Sequence, residues 1–156
     1  LRIIAIDAVE TKLTLAQEFG ATDVIDASGG GVVDKVKDLT GSGVDYSFEA
    51  IGLKETAEQS FEILARGGTA TIIGMIPQGT KIELDGPSFL SERRIQGSSM
   101  GSNRFRIDMP RYIEFYRQGR LKLDELVTQR LSLEGVNQAF DDMKQGHVAR
   151  TVLVFD

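Results

Sequence analysis

The sequence contains no cysteine and a single histidine, His147, among its 156 residues. Without cysteine the chain can build no disulfide framework, no thiolate-held zinc and no thiol nucleophile. One histidine argues against a histidine-built metal cluster and against a Ser-His-Asp triad, since each needs several placed partners. Basic charge is also scarce: 18 Lys+Arg stand against 23 Asp+Glu, a net charge of −5. No run of five or more basic residues occurs, so duplex nucleic acid and an anionic membrane surface are not expected partners. No apolar stretch reaches the length of a membrane span. A basic segment followed by an apolar one, the mark of a signal peptide, is not visible, and a cytoplasmic location is expected.

What remains is ordinary for a globular protein, with 41% hydrophobic and 26% charged residues. The length suits a domain of about 100–200 residues with a sizeable core. The chain opens directly on a buried-strand sequence, Leu1-Arg2-Ile3-Ile4-Ala5-Ile6, with no start Met. Natural termini are more often polar, so the expectation is a fragment whose upstream part is missing.

From there strand and helix patterns alternate. Residues 1–6 read as a parallel strand covered on both faces. Leu13, Ala16 and Phe19 recur at helical spacing over residues 10–19, and Gly20 follows as a C-cap. Residues 23–26 read as a strand, 29–31 as a loop, and Val33, Val36 and Leu39 as the stripe of a short helix ended by the turn at 40–43. Residues 44–49 read as a strand and 53–64 as a helix closed by Gly67-Gly68, with residues 69–73 as the next strand. Beyond Gly74 the pattern loosens into a turn-rich stretch at 77–87 with a short strand at 81–84. A strand at 94–98 follows, then a helix striped by Met109, Tyr112, Ile113 and Tyr116 that starts near Asp108 as N-cap, with Pro110 in its first turn. Residues 130–133 read as a strand; Val136, Ala139, Phe140 and Met143 stripe a last helix ended by Gly146; and 151–155 is the closing strand. This alternation with short turns predicts a parallel sheet in an α/β fold.

Asp7 stands where the first strand gives way to a helix. In a dinucleotide-binding unit an acidic residue there accepts hydrogen bonds from the adenosine ribose, and its charge repels a 2′-phosphate, favouring NAD over NADP. A solvated Asp opening a turn reads equally well from position alone. Ile51-Gly52 and Gly74-Met75 fall at carboxyl ends of parallel strands, where open α/β sheets bind ligands, although each also reads as a plain strand-to-loop turn. The glycines at 29–31 and 41–43 lack the spacing of a pyrophosphate cradle and read as turns. His147 at a helix end suits a surface role beside the helix dipole, and Arg150 is a candidate phosphate ligand.

The segments I-I-A-I-D at 3–7, F-G-A-T-D-V-I-D at 19–26, V-D-Y-S-F-E-A-I-G at 44–52, G-G-T-A-T-I-I-G at 67–74 and A-R-T-V-L-V-F at 149–155 together resemble the medium-chain, zinc-type alcohol dehydrogenases. The resemblance runs over essentially the whole chain and leans toward the class that includes formaldehyde and related primary-alcohol dehydrogenases. It implies a Rossmann-like, doubly wound parallel sheet lacking its first strand, with a short C-terminal strand-helix-strand segment. Residues 1–127 would be a partial dinucleotide-binding domain, and 128–156 a segment that in the family returns to the catalytic domain. It further implies that Asp7 and Lys12 hold the adenosine ribose and that Ala50 and Ile51 lie against the adenine and its ribose. Ile73, Gly74 and Met75 would approach the nicotinamide, Ser98, Ser99 and Met100 would complete that pocket, and Arg150 would pair with the pyrophosphate. A planar guanidinium suits that last role because its donors reach two phosphate oxygens at once.

The family's zinc ligands lie on cysteines and histidines of an N-terminal catalytic domain that has no counterpart here, so the resemblance assigns this chain neither a catalytic residue nor a metal ligand. It implies an NAD-dependent oxidoreductase acting on a small alcohol or aldehyde, with this portion inactive alone. It also implies a homodimer through residues 81–90, from Lys81 to Leu90, with Phe89 and Leu90 as apolar contacts. In the usual strand order the absent first strand lies between the strands at 1–6 and 44–49, so a slot that collapses or is filled by a donated segment is expected. The rival readings are a non-catalytic dimerisation or nucleotide-binding module, a methyltransferase-like α/β domain, and a zinc-free quinone reductase of the same superfamily. The closing helix and strand argue against the methyltransferase, and Asp7 against an NADPH-using reductase.

Overall fold

Strands and helices alternate along the chain as the periodicity predicts, in a computed structural model that describes residues 1–146 and 148–155. The order is β1 (Ile4–Asp7), α1 (Glu10–Glu18), β2 (Asp23–Asp26), α2 (Val32–Thr40), β3 (Val44–Glu49), α3 (Lys54–Glu62), β4 (Leu64–Ile72), β5 (Arg94–Gly97), α4 (Phe105–Arg117), β6 (Gln129–Leu131), α5 (Val136–Lys144) and β7 (Thr151–Leu153). β3, β4 and β5 form a parallel sheet in that order, β6 and β7 pair in parallel, and β1 pairs with β2. This is the expected α/β class. Among the described residues β1 and β3 each have a partner on one side only. No helix among these residues is long and apolar enough to cross a membrane.

The chain divides into two compact units, residues 25–103 and residues 1–24 with 104–156. In the unit of residues 25–103, α3 covers one face of the three-stranded sheet. Phe61, Leu64 and Ala70 form its centre, with Val44, Leu84 and Ile95 packed around them. Each large side chain buried this way contributes about 1.5–3 kcal/mol. The Phe61 ring also meets Phe89, with centroids 4.8 Å apart. A buried hydroxyl is satisfied there too, Ser47 Oγ donating to the Ser60 carbonyl at 2.6 Å. On α2 the buried pair is Val32 and Val36, flanked by half-buried Val33 and Leu39, so the stripe is turned slightly from the predicted one.

In the other unit Leu13 of α1 is buried. Arg2 grips Asp23 through both Nε and Nη2, each at 2.7 Å. Lys122 Nζ donates to the Glu18 carbonyl at 2.7 Å and lies 5.8 Å from the centre of the Phe19 ring, serving the C-terminal end of α1. Gly20 follows with φ +105°, as the C-cap reading requires.

Several boundaries differ from the predicted ones. The helix read to residue 64 stops at Glu62, and Leu64 opens β4, which runs on through Gly67-Gly68. The reason is a bulge: Val44 pairs with Leu64 but Tyr46 pairs with Thr69, and the glycines take up the extra length. Asp108 is not the N-cap of its helix. α4 begins at Phe105, and the Asp108 carboxylate reaches back from its first turn to accept the Arg104 N–H at 2.7 Å, which places Pro110 inside the helix. The strand read at 81–84 does not form. Its chain is instead tied to α3 by side chains, Glu58 accepting the Glu83 N–H at 2.7 Å and Lys54 pairing with Glu83 at 2.6 Å. β1, β5, β6 and β7 are each shorter than read, or shifted by a few residues, because pairing partners end before the apolar runs do.

Candidate functional site

Asp7 is the last residue of β1 and is half-buried. Its Oδ1 accepts the Val9 N–H at 2.9 Å, a side-chain turn that leads the backbone into α1 and fixes the carboxylate. Among the described residues no hydrogen bond engages its Oδ2, which leaves that oxygen for a donor such as a sugar hydroxyl.

Lys12, half-buried on α1, lines an open crevice of about 190 Å³ together with Thr11, Thr128, Gly146 and Ala149. A Cβ built on Gly146 would stand 3.5 Å from Lys12 Nζ. Next to this crevice the Arg150 backbone is clamped at the start of β7. Thr128 Oγ1 accepts the Ala149 and Arg150 N–H groups at 3.1 and 3.3 Å, while Thr128 N–H donates to the Arg150 carbonyl at 3.0 Å. The Arg150 side chain is exposed, and among the described residues it makes no ion pair. His147 lies outside the described residues.

The remaining candidates sit at the ends of β3, β4 and β5. Because the strands are parallel and in register, with Glu49 opposite Ile72 and Ile72 opposite Gly97, their carboxyl ends are neighbours. Ala50 and Ile51 follow β3, both exposed; Ile73, Gly74 and Met75 follow β4, with Met75 92% exposed. Ser98 is held after β5 by its N–H to the Ile72 carbonyl at 2.9 Å, and its Oγ lies 3.1 Å from Ser102 Oγ. Met100, Gly101 and Ser102 have φ of 49°, 73° and 51°, three successive residues in the left-handed region. For the two non-glycines this costs about 1–2 kcal/mol each, strain of the kind that gathers at ligand sites. Met100 is 89% exposed and Ser99 is also open.

Two glycines bring the β3 and β4 ends into backbone contact. A Cβ on Gly74 would overlap the Gly52 amide nitrogen, and one on Gly52 (φ +90°) would lie 2.7 Å from the Met75 carbonyl oxygen. Between them stands Glu49, which lies in the V-D-Y-S-F-E-A-I-G segment but which the sequence does not mark as a site residue. It is buried, and its Oε1 accepts from the N–H of Ile51 at 2.8 Å, the N–H of Gly52 at 2.7 Å and the hydroxyl of Thr56 at 2.8 Å. Burial pushes its pKa up, but the donors from Gly52, Thr56 and Ile51 outweigh it and hold the carboxyl below its ordinary value. The available signal was an acidic residue ending a strand just before a glycine turn. Thr128 was likewise missed, since nothing local marks a threonine that clamps a chain segment 22 residues away.

A sequence profile described as zinc-binding dehydrogenase matches residues 1–118. The class-3 alcohol dehydrogenase of Dictyostelium discoideum is 36% identical over 158 residues, covering 97% of this chain and 42% of that protein. The crystal structure of benzyl alcohol dehydrogenase from Acinetobacter calcoaceticus superposes with a TM-score of 0.93 at 29% identity, over 99% of this chain and 43% of that one. A zinc-binding dehydrogenase structure from Sinorhizobium meliloti 1021, bound to NADP, superposes with a TM-score of 0.80 at 32% identity, over 88% of this chain and 40% of that one. The chain thus spans well under half the length of each of these relatives.

Proposed function

The chain belongs to the zinc-binding dehydrogenase family, and from that premise we propose that it is the part of an alcohol dehydrogenase that holds a nicotinamide dinucleotide. The observation that carries this reading is Asp7, fixed at the end of β1 by Val9 with its second oxygen unengaged among the described residues. That oxygen accepts a hydroxyl of the adenosine ribose, Lys12 supports the same sugar, and Arg150 pairs with the pyrophosphate. Ala50 and Ile51 face the adenine end. Ile73, Gly74 and Met75, with Ser98, Ser99 and Met100, face the nicotinamide end. The bare backbone at Gly52 and Gly74 supports the reading, because it lets the turn assigned to the adenine end and the turn assigned to the nicotinamide end lie directly against each other.

When bound, the dinucleotide would supply a nicotinamide ring able to accept hydride from a small primary or secondary alcohol, the hydroxyl proton of which would leave to solvent as the aldehyde or ketone forms. A zinc ion does not fit the residues here. The chain has no cysteine, and among the described residues no three or more His, Asp or Glu side chains gather to hold a metal. In this reading zinc belongs to parts of the whole protein outside this chain. A second copy of the chain is the proposed partner at residues 81–90, where Leu90 is 86% exposed.

The cofactor is proposed to be NAD, since a 2′-phosphate close to the Asp7 carboxylate would cost about 1–4 kcal/mol in partly screened surroundings. Calorimetric titration tests this. NADH should bind at least tenfold more tightly than NADPH, and Asp7→Asn should shrink the difference to less than threefold, relieving the repulsion on NADPH while weakening NADH. Equal affinities in the unaltered chain would remove the assignment of NAD, and no binding of either would remove the cofactor reading.

A further inference from the structure

We infer that Glu49 is the positioning residue of the dinucleotide site, setting the distance between the turn that faces the adenine end and the turn that faces the nicotinamide end. The inference rests on the cofactor reading above. Glu49 holds the turn after β3 with its side chain, through the Ile51 and Gly52 N–H groups and the Thr56 hydroxyl, all at 2.7–2.8 Å. It holds the turn after β4 with its main chain, its carbonyl accepting the Ile73 N–H at 2.8 Å and the Gly74 N–H at 3.0 Å. One residue therefore orients four amides, two in each turn.

The two turns are also pressed together at this point. Gly74 abuts Gly52, and a Cβ on Gly74 would lie 2.5 Å from Glu49 Oε2. Glu49 is only 4% exposed, and among the described residues no donor reaches its Oε2. A buried charge with one oxygen unanswered is an expensive way to end a strand. A neutral side chain could accept a single turn N–H without that cost. What the charge adds is strength and number: hydrogen bonds to an ionised acceptor are roughly twice as strong as neutral ones, and three converge on one oxygen. The consequence is a turn whose apolar side chain, Ile51, is held outward at 63% exposure rather than collapsed. A ligand meeting both turns finds their spacing already set and loses less entropy on binding.

A ligand that touches one turn needs only that turn; a whole dinucleotide needs both at the right separation. The test is calorimetric titration of the 156-residue chain and its Glu49→Gln variant with NADH and with reduced nicotinamide mononucleotide, circular dichroism confirming that each is folded at the titration temperature. Because the substitution leaves the main-chain hold on the turn after β4 in place, the inference expects Glu49→Gln to weaken NADH at least tenfold while the mononucleotide changes by less than threefold. Equal loss for both ligands marks a general structural defect and overturns the inference, as does NADH affinity within threefold of the unaltered chain. If Glu49→Gln does not fold, Thr56→Val, which removes one of the three donors, should weaken NADH about threefold, and unchanged affinity overturns the inference. An unaltered chain that binds no NADH overturns the cofactor reading and this inference with it, whereas NADH binding insensitive to Glu49 overturns the inference alone.

Discussion

Asp23 and Glu49 are both carboxylates held ionised below their ordinary range, but by different neighbours. For Asp23 the cause is the hydrogen-bonded Arg2 guanidinium, helped by the Thr22 hydroxyl, which brings its pKa down to about 2 from 3.8. Between those values the unfolded chain binds more protons than the folded one, so the contribution is complete above about pH 4 and fades as pH falls toward 2. An NMR titration should place the Asp23 midpoint near 2, and Arg2→Ala should return it to the ordinary range; a midpoint unmoved by Arg2→Ala would contradict the pairing. Glu49 follows the same sign, its contribution present at neutral pH and lost as pH drops below the ordinary carboxylate range. Glycines separate two kinds of cost. Gly74→Ala meets backbone at once and should destabilise by about 2–4 kcal/mol in denaturant melts. Gly67→Ala meets open space but needs φ +76°, and should cost about 1 kcal/mol. Asp7 could be proposed from the sequence because the proposal depends only on its place at the end of a strand. Glu49 could not, because its partners come from two turns that only the fold brings together.

At the scale of elements, helix and strand identity followed from local periodicity, while boundaries depended on partners the periodicity does not see. β4 begins five residues before the predicted start because Leu64 is needed in the core beneath α3. Leu64→Ala should therefore cost about 2–5 kcal/mol, a loss a surface strand-end leucine would not show. α4 begins a turn early because Asp108 can cap Arg104 from inside the helix, four residues on, so the same acidic residue serves from the first turn and not from the N-cap. The segment at 81–84 has strand composition, but within one chain it finds side chains of α3 instead of a strand. If a second copy supplies that strand, Ile82→Pro removes an N–H from the pairing and should shift sedimentation from dimer toward monomer. Sedimentation as a monomer before any substitution would contradict the proposed interface.

For the molecule as a whole, the order of elements and the α/β class could be read from the sequence because each element announces itself locally. Strand pairing could not, since ladders join residues far apart and depend on which strands are present. β4 is the only strand among the described residues with a partner on both sides. Hydrogen exchange should accordingly be slowest at Ala70 and Thr71 and faster along β1 and β3; uniform protection would contradict this pairing of the strands. β3 also leaves Tyr46 and Phe48 largely exposed on the face away from α3. The central claim, that this chain holds a dinucleotide at its strand ends, is tested most directly by amide shift mapping of the isotope-labelled chain titrated with NADH. The account predicts coincident shifts at Asp7, Lys12, Ile51, Gly52, Ile73, Gly74, Ser98 and Arg150. Shifts confined to other surfaces, or none at saturating NADH, would contradict it.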